Sequence, residues 1–129
     1  MRVLLDSHIF LWSATGSSQI SIALQDRIVE AEQVYVSLAS EWELTIKEHN
    51  GKLQAPARVG DIFDRYLHAT TVQVLEIERS HFRRLAQLPL HHRDPFDRLL
   101  IAQALEQDLT VVTSDRIFAR YGVKLLPLR

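Results

Sequence analysis

Four acidic residues from distant parts of the chain, Asp6, Glu43, Asp97 and Asp115, have the type and setting to do chemistry. Asp6 closes the run V-L-L-D, and Asp115 follows L-T-V-V-T-S. Glu43 and Asp97 stand near the starts of two apolar helical patterns. A charge beside a buried run is costly unless it is paired or used. Two carboxylates about 5 Å apart at an effective dielectric of ~20 repel by roughly 3 kcal/mol, so four together call for a proton or a cation. An all-oxygen set suits Mg²⁺ or Mn²⁺, hard ions that keep water ligands and act on phosphates. One such ion can activate water and a second can stabilise a leaving oxygen in phosphodiester hydrolysis. Taken singly, each acid is equally well a helix cap or a turn residue. Their convergence is what would make them a site.

The stretch R-D-P-F-D-R-L-L-I-A-Q-A-L, from Arg93 to Leu105, positions one of them. Pro95 suits a first helical position, which puts Asp94 at the N-cap and Asp97 at the third helical residue. Leu100, Ile101, Ala104 and Leu105 follow on the face of Asp97, so this acid lies on a core-facing stripe.

The other elements are read in order. Val3–Leu5 is a short buried strand ending in Asp6, and Ser7–Ser13 a short helix before the break T-G-S-S. Ser21–Glu30 is an amphipathic helix, and Val34–Leu38 the second strand. The tetrad S-E-W-E matches a capping box with Ser40 as cap and Glu43 at the third helical residue; N-G at 50–51 ends that helix. A stripe of Ile62, Phe63, Tyr66 and Leu67 marks a helix over Asp61–His68. Then come a strand at Val72–Ile77 and a helix over Arg79–Leu88 stopped by Pro89. After the central helix, Leu109–Thr113 is a strand, Ile117–Tyr121 a short helix, and Val123–Leu128 a fifth strand.

Strands alternating with helices predict a single α/β domain, with a roughly five-stranded, mostly parallel sheet and helices on both faces. Sites in such sheets lie beyond the carboxyl ends of the strands, where all four acids are expected. The 129 residues are enough for a proper core, and 47% hydrophobic with 24% charged residues is a globular composition. There is no cysteine, so disulfides, thiolate metal sites and a cysteine nucleophile are excluded. No apolar run approaches the ~20 residues of a membrane span, and the first residues turn acidic too soon for a signal peptide; a cytoplasmic protein is expected. The net charge of −1 gives no global attraction to nucleic acid. Arg79, Arg83, Arg84, Arg93 and Arg98, with His81, His91 and His92, form a local basic stretch that is either a phosphate-binding face or a solvated helix surface.

The ordered pieces L-L-D-S-H, S-x-W-E-L-x-I-K, L-P-L-H-H-R-D-P-F-D-R-L-L-I-A-Q-A and V-V-T-S-D-R-I-F, followed by Y-G-V, span nearly the whole chain. In them the sequence resembles the PIN-domain family, and most of all the VapC-type toxins of bacterial toxin–antitoxin pairs. The resemblance implies a Mg²⁺- or Mn²⁺-dependent endoribonuclease, with Asp6, Glu43, Asp97 and Asp115 as catalytic and metal-binding acids. It makes Asp94 auxiliary, with Ser7 beside Asp6, and Thr113 and Ser114 as hydroxyls that orient ligands or water. It also implies an RNA substrate, a homodimer, and a cognate antitoxin that blocks the site with a basic side chain.

His91 and His92 read as loop residues ahead of the central helix, although either could touch RNA phosphate. His8 has no second histidine at zinc-ligand spacing. Trp12 and Trp42 read as core or dimer contacts, with base stacking the alternative. Two other classes compete with the nuclease. A phosphotransfer enzyme also places aspartates at strand ends, but His8 stands where a haloacid-dehalogenase-like phosphatase needs its second acid, and no acidic pair flanks the first strand as in a receiver domain. A non-catalytic module would use the acids only to bind a cation or a partner, which a cleavage assay separates from the nuclease.

Overall fold

The structure, a computed structural model, describes residues 1–128. Its elements run β1 (Arg2–Leu5), α1 (Ser7–Thr15), α2 (Ile22–Val29), β2 (Gln33–Ser37), α3 (Leu38–His49) and α4 (Val59–Ala69). They continue with β3 (Gln73–Leu75), α5 (Arg79–Gln87), α6 (Pro95–Gln107), β4 (Thr110–Val112), a 3-10 turn (Arg116–Tyr121) and β5 (Lys124–Leu125). The five strands form one sheet in the order β3-β2-β1-β4-β5, and every pairing is parallel. The chain lays β2 and β3 to one side of β1, then crosses to add β4 and β5 on the other. The edge between β1 and β4 is therefore the topological switch point, where a crevice opens beyond the carboxyl ends.

Strand alternation divides the core in two. Val3, Leu5, Val34, Val36 and Val112 face one layer, packed with Phe10, Leu24, Ile28, Leu44 and Phe63 from α1–α4. Leu4 and Val111 face the other, packed with Leu99, Leu100, Ile101, Ala104 and Phe118. Helix α6 is buried from Leu99 through Ala104, so it is enclosed rather than laid on the surface. Gln103 sits inside it with no exposed surface. Its Oε1 accepts from Ser37 Oγ at 2.7 Å, and its Nε2 donates to the Glu76 carbonyl at 3.3 Å. This buried polar link ties α6 to the end of β2, where α3 begins.

Three expectations are corrected. The cap of α3 is Ser37, whose Oγ accepts from Ala39 N–H at 3.0 Å, so the helix starts earlier than a Ser40 cap implies. Glu43 is therefore a turn deeper than the third helical residue. The fifth strand is only Lys124–Leu125, because β5 pairs with β4 alone at the sheet edge. Trp42 is 57% exposed and lies edge-on to Phe96 with centroids 4.9 Å apart, so it is not a core residue, whereas Trp12 packs against the first core layer.

Candidate active site at the switch point

Asp6 follows β1 directly and also serves as N-cap of α1: its Oδ1 accepts from Ile9 N–H at 2.8 Å. Thr113, just past β4, donates a short hydrogen bond to Asp6 Oδ2. The residue is 6% exposed, and burial pushes its carboxyl above the usual aspartate range against the lowering pull of Thr113 and the Ile9 N–H. The same Thr113 oxygen accepts from Asp115 N–H at 3.0 Å, so one hydroxyl links the acids after β1 and β4.

Glu43 is 4% exposed on α3. Ser7 donates to its Oε1 at 2.7 Å and also lies 3.0 Å from Ser40 Oγ. Lys47, one turn on, meets Glu43 Oε2 at 2.8 Å. Burial works against the Lys47 ammonium, but its bond to Glu43 and the charges of Glu43, Asp94 and Asp97 outweigh it and raise its pKa. Lys47 is thus the cation that compensates Glu43, from the same helix and one turn on.

Asp97 enters from α6, whose start is as the sequence predicts. Asp94 is the N-cap and accepts from Phe96 and Asp97 N–H at 2.8 and 3.0 Å, with Pro95 at the first position. The Asp97 carboxyl is raised to about 7 by burial, then by the charges of Asp94 and Glu43, with Asp6 adding to them and His92 opposing. The acids after β1, on α3 and at the start of α6 thus feel one another electrostatically, and Asp115 reaches Asp97 through His92. Asp115 caps the 3-10 turn through Oδ1, accepting from Ile117 N–H at 2.9 Å, and leaves Oδ2 facing the crevice.

His92 joins Asp97 to Asp115. Its Nε2 lies 3.1 Å from Asp97 Oδ2 and 2.7 Å from Asp115 Oδ2, and its side chain is only 11% exposed. The backbone around it is pinned by the Tyr121 hydroxyl, which accepts from His91 and His92 N–H. His92 is thus part of the acidic crevice, not the plain loop residue its sequence setting implies. Only the fold brings it there, since Asp115 is 23 residues away. Of the auxiliary positions, Ser7, Asp94 and Thr113 join this network. Ser114 is exposed and stands outside its buried contacts.

The basic stretch divides similarly. His81 is fully buried, accepting from Glu78 N–H at Nδ1 and facing Gln107 Oε1 through Nε2 at 2.7 Å. Arg84 pairs with Glu106, and Arg98 donates to the Pro89 carbonyl and the Tyr121 hydroxyl. These groups brace α5 and α6, so the stretch is not one uninterrupted phosphate-binding face.

Chemically, the crevice offers oxygen donors with one imidazole at its rim. His92, Asp97 and Asp115 present ligand atoms within 4.8 Å of one another, close enough for one ion. Carboxylate oxygens are the donors that hard divalent cations prefer.

The fold has known counterparts. The family model described as PIN domain matches residues 3–124. The chain is 30% identical over 115 residues to Ribonuclease VapC22 of Mycobacterium tuberculosis, covering 88% of this chain and 87% of that protein. It is similar in structure to the DNA-bound VapBC of Salmonella typhimurium, with TM-score 0.76, 17% identity and coverage of 100% and 99% of the two chains. It is also similar to VapBC2 of Rickettsia felis bound to a promoter DNA fragment, with TM-score 0.74, 14% identity and 98% coverage of both chains.

Proposed function

This chain belongs to the PIN-domain family, and from that premise we propose that it is an endoribonuclease, using Mg²⁺ or Mn²⁺ to hydrolyse RNA phosphodiester bonds as the toxin of a toxin–antitoxin pair. The observation that carries the proposal is the setting of Asp97: an aspartate pushed to about 7 because it is buried among Asp94, Glu43 and Asp6. Carboxyls crowded together favour a cation in the same place.

Asp6, Glu43, Asp97 and Asp115 would hold the ion. When bound, it supplies a Lewis acid for the phosphate and a more acidic bound water. The protein's own part is orientation. Thr113 fixes Asp6, Ser7 and Lys47 fix the two oxygens of Glu43, and the Asp94 cap fixes the first turn beneath Asp97. Exposed Trp42, edge-on to Phe96 beside the acids, offers a surface on which a base of the bound strand can stack.

Incubation with mixed cellular RNA tests the reaction: cleavage is expected with Mg²⁺ or Mn²⁺ and none with chelator. Cleavage that persists in chelator would contradict the metal-dependent mechanism. Mn²⁺ should also raise the melting temperature, since an ion that binds only the folded state stabilises it by linkage. A flat melting temperature across millimolar Mn²⁺ would count against a shared site.

The toxin assignment draws on the ribonuclease relative and on the VapBC assemblies whose fold this chain shares. An acidic crevice is open to blockade by an arginine or lysine from another chain, so a small antitoxin encoded beside this gene is expected, together with a homodimer acting in the cytoplasm. Expression without toxicity, in the absence of such a neighbour, would remove the toxin role and leave the nuclease standing.

A further inference from the structure

His92 lies where it must either bind the cation or make way for it, and its hydrogen bonds decide which. Asp94 N–H donates to Nδ1 at 3.1 Å, so Nδ1 is the bare nitrogen and the ring proton sits on Nε2. Nε2 donates to Asp115 Oδ2 at 2.7 Å and lies 3.1 Å from Asp97 Oδ2. A protonated ring nitrogen has no lone pair for a metal. For Nε2 to become a ligand, the proton would have to move to Nδ1, where it would meet the Asp94 N–H head-on. The Asp94 amide is held in place because its own residue caps α6. His92 is thus fixed as a donor, and its N–H lies against the two oxygens that an ion between Asp97 and Asp115 needs.

We propose that the His92 Nε2–H is a displaceable stand-in for the cation. Until an ion binds, this N–H is held by Asp115 with Asp97 alongside, and it offsets part of the repulsion between them. When an ion binds, the ring leaves those oxygens. His92 is then a positioning residue that stabilises the metal-free state and competes with the ion, so its presence weakens metal binding. This inference rests on reading the acidic crevice as a cation site.

The test is Mn²⁺ titration by calorimetry, with thermal melts in chelator, on the parent, His92→Ala and His92→Gln. Losing one charge-assisted hydrogen bond that only the ion-free site makes should tighten Mn²⁺ binding in His92→Ala by about ten- to a hundredfold. The same variant should melt lower than the parent in chelator. His92→Gln, whose amide N–H can reach the same oxygens, should return both values toward the parent. Weaker or unchanged Mn²⁺ binding in His92→Ala overturns the proposal, and weaker binding makes His92 a ligand or a support for the ligands. A parent that binds no Mn²⁺ overturns the cation-site reading itself, which is a different result. A readout on the unaltered protein covers the case of a variant that does not fold. The hydrogen-bonded Nε2–H of His92 should be visible by NMR without Mg²⁺ and lost at saturating Mg²⁺; its persistence unchanged overturns the displacement.

Discussion

Asp97→Asn should fold, lose most of its Mn²⁺ binding and cleave RNA more than about a hundredfold more slowly than the parent, since even the groups that merely support metal ligands are worth 10–100-fold. Asparagine keeps the size and polarity of the side chain, but a neutral amide is a poor ligand for a hard dication. Without metal the variant should be the more stable protein, because it removes a charge from among Asp94, Glu43 and Asp6. The pH dependence follows from the raised carboxyl. Between the ordinary value of 3.8 and about 7, the folded parent holds a proton on Asp97 that the unfolded chain has released. Over that window this group's contribution makes parent stability fall as pH rises, and above it the loss is complete. The advantage of Asp97→Asn in chelator should therefore grow from acid pH to about 7 and then level off. Melts of both proteins across that range, with cleavage assays in Mn²⁺, check each part. Asp94→Asn is the contrast: asparagine caps nearly as well as aspartate, so it should retain much more activity. An Asp97→Asn protein that unfolds, yet cleaves normally per folded molecule, would reduce Asp97 to a structural residue.

Legibility of the site tracked how local each determinant was. The start of α6 was readable because D-P-F-D fixes a cap, a first helical residue and a third by adjacent residue types alone. The centre of the sheet was readable because β1 and β4 are short, largely buried apolar runs, each followed closely by an aspartate. The start of α3 misled because S-L-A-S-E-W-E holds two serines, each able to cap. The tetrad favours Ser40, but β2 ends at Ser37 and its hydroxyl takes the role while also meeting Gln103. That shift buries Ser40 and Glu43 beneath Ser7. His92 and Lys47 were missed for another reason. Their partners are set by the fold or by one helical turn, and neither residue type announces a site. Gln103, a polar residue in an apolar helix, was a visible signal: such a side chain must find buried partners, and it finds them at Ser37 and Glu76.

Leu100→Ala separates the scaffold from the chemistry on the same helix face. Leu100 has no exposed surface and packs in the layer formed by Leu4, Val111 and Phe118. Truncation leaves a cavity in an enclosed helix that cannot collapse from the solvent side, so the loss should be ~2–5 kcal/mol. For a chain of this size that lowers the melting temperature by roughly 10–20 °C. The acids should keep their places, because α6 remains held by the Asp94 cap at its start and by Gln103 at its middle. Cleavage per folded molecule should therefore match the parent at temperatures where the variant is folded, and Mn²⁺ should raise its melting temperature as it does the parent's. A Leu100→Ala protein that stays folded but loses both Mn²⁺ binding and cleavage would show that core packing along α6, and not the local cap, sets the position of Asp97.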